Sequence, residues 1–557
     1  MKYIYLDDYD FFMENFSIIK RKNVILTSSI GIYEIVKNKL NGNVILLNSK
    51  SFTENYKNLK KYFLDFQHIL RSLDNNKTIK EYIENKNLNL FFNSHRYSTA
   101  MDFAAIKNIT KNIFLILKKK KIKKLYLYGN LRFNFFSKEV LQKELKSKKI
   151  DLIIVKRKTY IKKNIFNIFN TITIYQIFLY LKKIIANIFF FTNKKNIVIE
   201  PNWDFFYFNY SIRNTFFLNL KKKLFDKNDL NHNNLSINYS KISKILKKNE
   251  SKEILFYLIE KTLILDKKLS LIFNYLDLLM KKNHIKNCIW SCDPDSIAAN
   301  IVQYLRQKNI KIYGIQHGGS YNIINYRLFH YLSDFKFCDT FLSYGNSKNI
   351  IDKNIINFGS FKSSYYLKNK KNIFNSEFKK TTNILFIVGA IYEIFLNKNS
   401  YIKQFNFQKN VCEFLDNKKI NSIIKIPRQI NCINFPILDK VNNDYNNFKI
   451  SKKKIFQEIN SSKPKIIILD RLSSTLYECL FYDVNIILFI DKNELPYNDV
   501  LKILKKRVFV VHNFNEFISV FEKIITKKIV KKDDTFLKKY FLLKQNKQNK
   551  ELLKKIN

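Results

Sequence analysis

Short runs of β-branched and aromatic residues recur along the chain at helix-length intervals. In the first two hundred residues they fall at Asn23–Thr27, Asn43–Leu47, Lys124–Tyr128, Asp151–Val155 and Asn196–Ile199. Such alternation predicts βαβ units and a parallel sheet. From about Tyr207 to Lys282 the period changes, with leucine and isoleucine at three-to-four spacing through Lys252–Met280, which predicts helix. Strand signals return at Asn287–Ser291 and Lys311–Gln316. A second alternating block has strand runs at Ile384–Val388, Ser422–Ile426, Lys465–Leu469, Asn485–Ile490 and Val508–Val511. Helical stretches at Gln404–Leu415, Ser473–Phe481 and Phe514–Ile525 lie between them, and a basic helix is predicted over Thr535–Ile556.

The pattern predicts an α/β protein of two Rossmann-like, doubly wound halves. The expected boundaries are 1–365 for the first half, with a helical insertion at about 160–285, and 366–382 for a Lys- and Asn-rich linker. The second half is 383–532, and 533–557 is the basic tail. Six of the nine glycines fall between Gly314 and Gly389. In a chain so poor in glycine, this clustering marks where backbone turns sharply or approaches something closely, so the site is expected there.

At 557 residues, 46% hydrophobic and 15% aromatic, the chain has ample material for two cores, and global disorder is excluded. Its six cysteines form no CxxC pair and no cluster with histidine, which argues against structural zinc and disulfides and fits a reducing compartment. The formal charge of +53 changes the picture less than its size suggests. Lysines are spread along the whole chain, arginine is scarce, and no helix-turn-helix, zinc-finger or RNP signature is present, so nucleic acid is a disfavoured partner. Attraction to an anionic membrane or to phosphorylated substrates fits the charge better. The opening Met1-Lys-Tyr-Ile-Tyr-Leu lacks a secretory pattern. Ile165–Thr192 is apolar but broken by Lys182-Lys183, and reads as a span, an interfacial helix or a helix packed on protein. A cytoplasmic protein, peripheral on the inner membrane face at most, is expected.

The strongest chemical signal is Tyr313-Gly314-Ile315-Gln316-His317-Gly318-Gly319-Ser320. A strand ends in a histidine and two glycines, where open α/β sheets bind ligands. His317 suits a general base or a phosphate contact, and Gly318 and Gly319 leave amide groups open to an anion. The second signal is Asp470-Arg-Leu-Ser473-Ser474-Thr475-Leu-Tyr-Glu478, a strand end followed by a helix start. Its hydroxyls suit donor phosphate, and Glu478, one turn past Ser474, suits a ribose; the same spacing also suits a capping box. Lys425 and Arg428 close a strand and offer charge to a diphosphate. Asp293 reads as a helix cap before Pro294, or as a base. His95 and Arg96, in an expected polar loop, are candidates for the acceptor side. No metal-ligand set is visible.

The histidine loop, Tyr344-Gly345, Gly359-Ser360-Phe-Lys362, Lys425-Ile-Pro427 and the Asp470–Glu478 segment occur in the order seen in a family of bacterial surface-carbohydrate transferases, which this chain resembles over roughly Asn287–Asp491. The histidine loop and the Asp-x-x-Ser-Ser segment are more distantly similar to those of CDP-glycerol glycerophosphotransferases and capsule polysaccharide transferases. Tyr344, Lys425 and Asn485 stand where that pattern has tryptophan, arginine and proline. The resemblance implies a GT-B architecture of two facing Rossmann-like domains, the C-terminal one holding a nucleotide-activated donor without metal or cofactor. It implies transfer of a sugar or polyol phosphate to a surface glycan or lipid-linked precursor. A nucleotide-sugar epimerase on the same frame and a basic nucleic-acid-binding protein are the alternatives.

Overall fold

The structure is a computed structural model describing residues 2–7, 11–12, 23–39, 42–47, 52–95, 98–129, 136–155, 195–199, 215–218, 252–290, 296–316, 318, 321–324, 337–345, 354–369, 384–389, 398–426, 437–438, 441, 445–527, 529–544 and 546–556. The expected strands pair into three sheets whose ladders are all parallel.

The first sheet joins β1 (Lys2–Leu6), β2 (Asn23–Thr27), β3 (Asn43–Leu46), β4 (Lys124–Tyr128) and β5 (Asp151–Val155), in the order β3-β2-β1-β4-β5. The second joins β6 (Asn196–Ile199), β7 (Thr215–Leu218), β8 (Asn287–Trp290), β9 (Lys311–Ile315), β10 (Thr340–Ser343) and β11 (Ile355–Asn357), in the order β11-β10-β9-β8-β6-β7. The third joins β12 (Ile384–Ile387), β13 (Ser422–Lys425), β14 (Phe448–Ser451), β15 (Ile466–Leu469), β16 (Asn485–Phe489) and β17 (Phe509–Val511), in the order β14-β13-β12-β15-β16-β17. Central strands such as β12, β15 and β16 are buried at every position, hence their unbroken apolar runs. The third order is the doubly wound 3-2-1-4-5-6, whose switch point lies between β12 and β15.

The first 365 residues, read as one Rossmann-like unit, carry two sheets. They share one core: Tyr3 and Leu26 of the first sheet and Ile197 and Ile312 of the second belong to a single buried cluster. The helices Phe52–Asp74, Ser98–Lys119, Lys252–Lys282 and Ser296–Gln307 supply much of the rest. Of the expected insertion, the helix Lys252–Lys282 is present, but β6 and β7 within it are strands of the second sheet. The Thr215–Leu218 strand departs from the helix predicted over that stretch. Lateral pairing overrode local periodicity there. Residues 156–194, including the apolar stretch, lie outside the described residues, as does most of the linker; its start, Tyr366–Asn369, ends a helix. Among the described residues no helix is long and apolar enough to cross a membrane.

The tail is two helices, Thr535–Tyr540 and Lys547–Ile556, where one was expected. The first packs with the third sheet, Phe536 and Tyr540 lying in the core of Leu476 and Leu488. The second buries Leu552 and Ile556 against Ile289, Ile315 and Phe358 of the second sheet's core. Burying two such side chains contributes about 3–6 kcal/mol. The chain therefore returns from its C-terminal sheet to clasp the preceding one.

Candidate functional site

The site is built at the switch point of the third sheet. Gly389 follows β12 and Asp470 follows β15. The Gly389 amide donates to both Asp470 oxygens, at 2.9 and 3.0 Å, and Gln404 and Gln408 donate to Oδ2 at 3.2 and 2.5 Å. Burial pushes the Asp470 carboxyl up, and these four hydrogen bonds hold it back. A Cβ at Gly389 would come within 2.5 Å of Arg471 Cδ, so a side chain there would have to displace Arg471. Asp470 is thus a brace for the strand ends.

Past the brace, Ser473 is extended (φ −147°, ψ 178°) and makes no side-chain cap hydrogen bond to the helix Ser474–Cys479. The capping-box reading of this segment is not realised, and the hydroxyls remain for other use. Ser474 is exposed, with Ser473 and Thr475 half-buried. One turn on, the half-buried Glu478 is pushed up by desolvation; Lys362, a hydrogen bond with Tyr366, Lys425 and Lys454 act in the opposite sense. Lys425 is 5% exposed and its ammonium donates to the Ile426 carbonyl. Burial lowers the Lys362 ammonium pKa, and Glu478 counters this. Tyr344 is raised by burial and hydrogen-bonded with Ser360, its ring 6.1 Å from that of Tyr477. Elements from both sides of the linker thus meet at one carboxylate.

The histidine loop is held at its start by Gln316. Its Nε2 donates to the Gly318 carbonyl at 2.5 Å, and its Oε1 accepts from the Tyr344 amide at 2.9 Å. Gly318 lies under Tyr321, where an added Cβ would be 3.2 Å from the ring. The loop then reaches the third sheet: the Tyr497 amide donates to Ile323 O at 3.0 Å, and Ile324 bridges antiparallel to Pro496. Beside this contact stands Glu494, pushed up to about 7 by burial, whose Oε1 is buried without a hydrogen-bond partner among the described residues.

His317, Gly319, Arg428, Asp293 and Arg96 lie outside the described residues. His95 corrects an expectation. It closes the helix Leu90–His95 instead of lying in a loop, is buried, and its ring nitrogens meet Thr99 Oγ1 at 3.3 Å and Thr262 Oγ1 at 3.1 Å. Burial drives its pKa down to about 4. It ties helices together. Gly345 and Gly359 seat the tail: a Cβ on Gly345 would lie 2.7 Å from Tyr540 Cα, and one on Gly359 2.2 Å from Leu542 O.

Sequence reasoning missed Gln316, Tyr366, Gln404, Gln408, Lys454 and Glu494. Gln404 and Gln408, four apart on one helix face, left a faint signal. Lys454 had none in so basic a chain. Among the described residues no group of three or more His, Cys, Asp or Glu side chains could hold a metal ion.

Three parallel sheets, the last with a brace at its switch point, define an α/β protein of the doubly wound kind. The chain belongs to the LIC12162 family of transferases, whose sequence profile it matches over residues 66–507. No curated protein matches it. Among solved structures it is similar to UDP-GlcNAc 2-epimerase from Neisseria meningitidis bound to UDP-GlcNAc, with 13% identity, TM-score 0.40, and coverage of 65% of this chain and 99% of that one. It is similar to the Methanocaldococcus jannaschii UDP-GlcNAc 2-epimerase at 11% identity and TM-score 0.39, covering 65% and 99%. It is also similar to Acinetobacter baumannii MurG at 10% identity and TM-score 0.31, covering 53% and 79%.

Proposed function

We propose that this transferase moves a glycosyl group from a nucleotide-activated donor of the CDP, CMP or UDP type to a surface glycan or its lipid-linked precursor. The observation that carries the reading is the convergence of Lys362, Tyr366, Lys425 and Lys454 on Glu478, next to the uncapped hydroxyls of Ser473–Thr475. A nucleotide needs both halves of such a site. Ser473, Ser474 and Thr475 hold donor phosphate with Lys425, Arg428 and the amides of Gly318 and Gly319, while Glu478 accepts from the ribose hydroxyls.

At the reacting centre the acceptor hydroxyl oxygen bonds to the anomeric carbon as that carbon's bond to the phosphate oxygen breaks. The hydroxyl proton passes to His317, and the bonding pair leaves with the nucleotide. Each preorganised donor on the departing phosphate contributes about 3 kcal/mol to the transition state. Neither metal nor cofactor is required in this scheme. Cytoplasmic placement with peripheral contact on anionic membrane completes the reading, supported by the charge of +53.

The test is a thermal-shift series with CMP, CDP, UDP, GDP and ADP. A ligand at about 100 times its Kd stabilises by about 2.7 kcal/mol. One pyrimidine nucleotide should raise Tm, and the Ser474→Ala/Glu478→Gln variant should lose the shift. A flat response to all five would sink the reading. Products separate transfer from epimerisation, since an epimerase turns over without acceptor.

A further inference from the structure

A cavity of about 450 Å³ opens far from Glu478, between the end of the helix Phe52–Asp74, the helix Leu90–His95 and the end of the helix Ser296–Gln307. That size is within the range of small-molecule sites, about 300–1,000 Å³. It lies at the amino edge of the second sheet, where Phe337 precedes β10, whereas Gln316 and Tyr344 leave the carboxyl edge. Strand β9 alone separates the two edges by about 17 Å.

Five of the eleven lining residues carry side-chain amides. Asn75, Asn89, Gln303 and Gln307 face it together with Asn93. Gln303 Oε1 accepts from the Asn89 amide at 3.2 Å and from Asn93, and Gln307 Nε2 donates to Asn87 O at 2.9 Å. That leaves Gln303 Nε2, Gln307 Oε1 and the side-chain amides of Asn75 and Asn89 without partners among the described residues. The wall also holds an aromatic pair, Phe92 and Phe337, with ring centroids 6.4 Å apart and planes at 22°. Arg71 lies over the Phe92 ring at 4.9 Å with no hydrogen bond or ion pair to its guanidinium among the described residues.

The charges argue against a polyanion. Arg306 is paired with Asp339 at 2.5 Å, and Asp74, held by the Phe91 and Phe92 amides at 2.8 and 2.9 Å, adds a carboxyl to the wall. Unpaired amides that both donate and accept match a ligand whose neighbouring hydroxyls do the same. We propose that this cavity binds a neutral saccharide unit, as a subsite separate from the transfer centre. It extends the carbohydrate reading above and holds glycan away from the reacting atoms.

The experiment is saturation-transfer NMR on the full chain with glucose, galactose, mannose, N-acetylglucosamine and glucuronate as probes. At least one neutral sugar should receive saturation. The exposed rim substitutions Asn75→Trp and Arg71→Ala/Gln307→Leu should each abolish the signal or weaken binding at least tenfold, with Tm unchanged. Glu478→Gln should leave it intact, so a failure of the donor-site reading shows separately. Response from none of the sugars, response from glucuronate alone, or saturation that survives both rim variants would each overturn the proposal.

Discussion

The side-chain amide of Asn196 donates to the carbonyl oxygen of Ile556 at 2.6 Å, joining a strand of the second sheet to the last described turn of the chain, 360 residues away. Asn287 on the neighbouring strand donates to Asn196 Oδ1 at 3.0 Å, so the bond is part of a buried chain. The tail therefore fixes the second sheet to the third, and with it the histidine loop to the Glu478 cluster.

If the clasp sets that geometry, Ile556→Ala should cost about 2–4 kcal/mol, the range for large-to-small changes in a packed core. Chemical denaturation measures it. Turnover should fall more steeply with temperature in the variant than in the parent. An unchanged midpoint would mean that the tail only lies against the sheet.

Gly359→Ala should be more damaging than its one methyl suggests. Its φ of +93° is strained for any L side chain, and the new Cβ would meet Leu542 O at 2.2 Å. The backbone bonds from Ser360 N to Phe541 O and from Lys544 N to Phe358 O, both 2.8 Å, would have to shift. A loss of several kcal/mol is expected, on the order of 3. Limited proteolysis should then cut first near residue 545.

Lys362→Met should weaken nucleotide binding by about tenfold or more, as should Glu478→Gln, in line with charged hydrogen bonds of about 1.5–3 kcal/mol. The two act on each other, so the double variant should lose less than the sum. Calorimetric titration with the nucleotide that raises Tm reads this directly. Strict additivity would count against a shared site.

His95 predicts a pH dependence. Its folded pKa of about 4 lies below the ordinary 6.5, so between those values the unfolded chain binds more protons. Its contribution to stability is full above about pH 6.5 and is lost as pH falls towards 4, by about 3 kcal/mol in all. His95→Gln should flatten that part of the profile, measured as the urea midpoint from pH 7 to 4.5. A parallel profile for parent and variant would refute the assignment.

What was legible in the sequence was local. β12, β15 and β16 were readable because a parallel strand buried on both faces is an unbroken apolar run. Ser473–Glu478 was readable because a strand end followed by hydroxyls is a short-range pattern. The pairing of strands was not. β6 and β7 take their places beside β8 through lateral partners distant in sequence, and so the first 365 residues hold two sheets where one was expected.

The site divides in the same way. Glu478 and Lys425 stood out, but Tyr366 passed for linker and Lys454 for one lysine among many. Their part depends on being gathered round one carboxylate. His95 looked like a loop residue and is a buried tie, because helices from residues 90–95 and 252–282 close over it. The sequence by itself determined most strand segments, Thr215–Leu218 excepted, and which segments carry hydroxyls, glycines and charge, since those follow from backbone preference and side-chain chemistry. Tertiary structure alone decided which charges meet, which histidine loses water, and that Gly345 and Gly359 make room for the returning tail, since each depends on contacts no local pattern encodes.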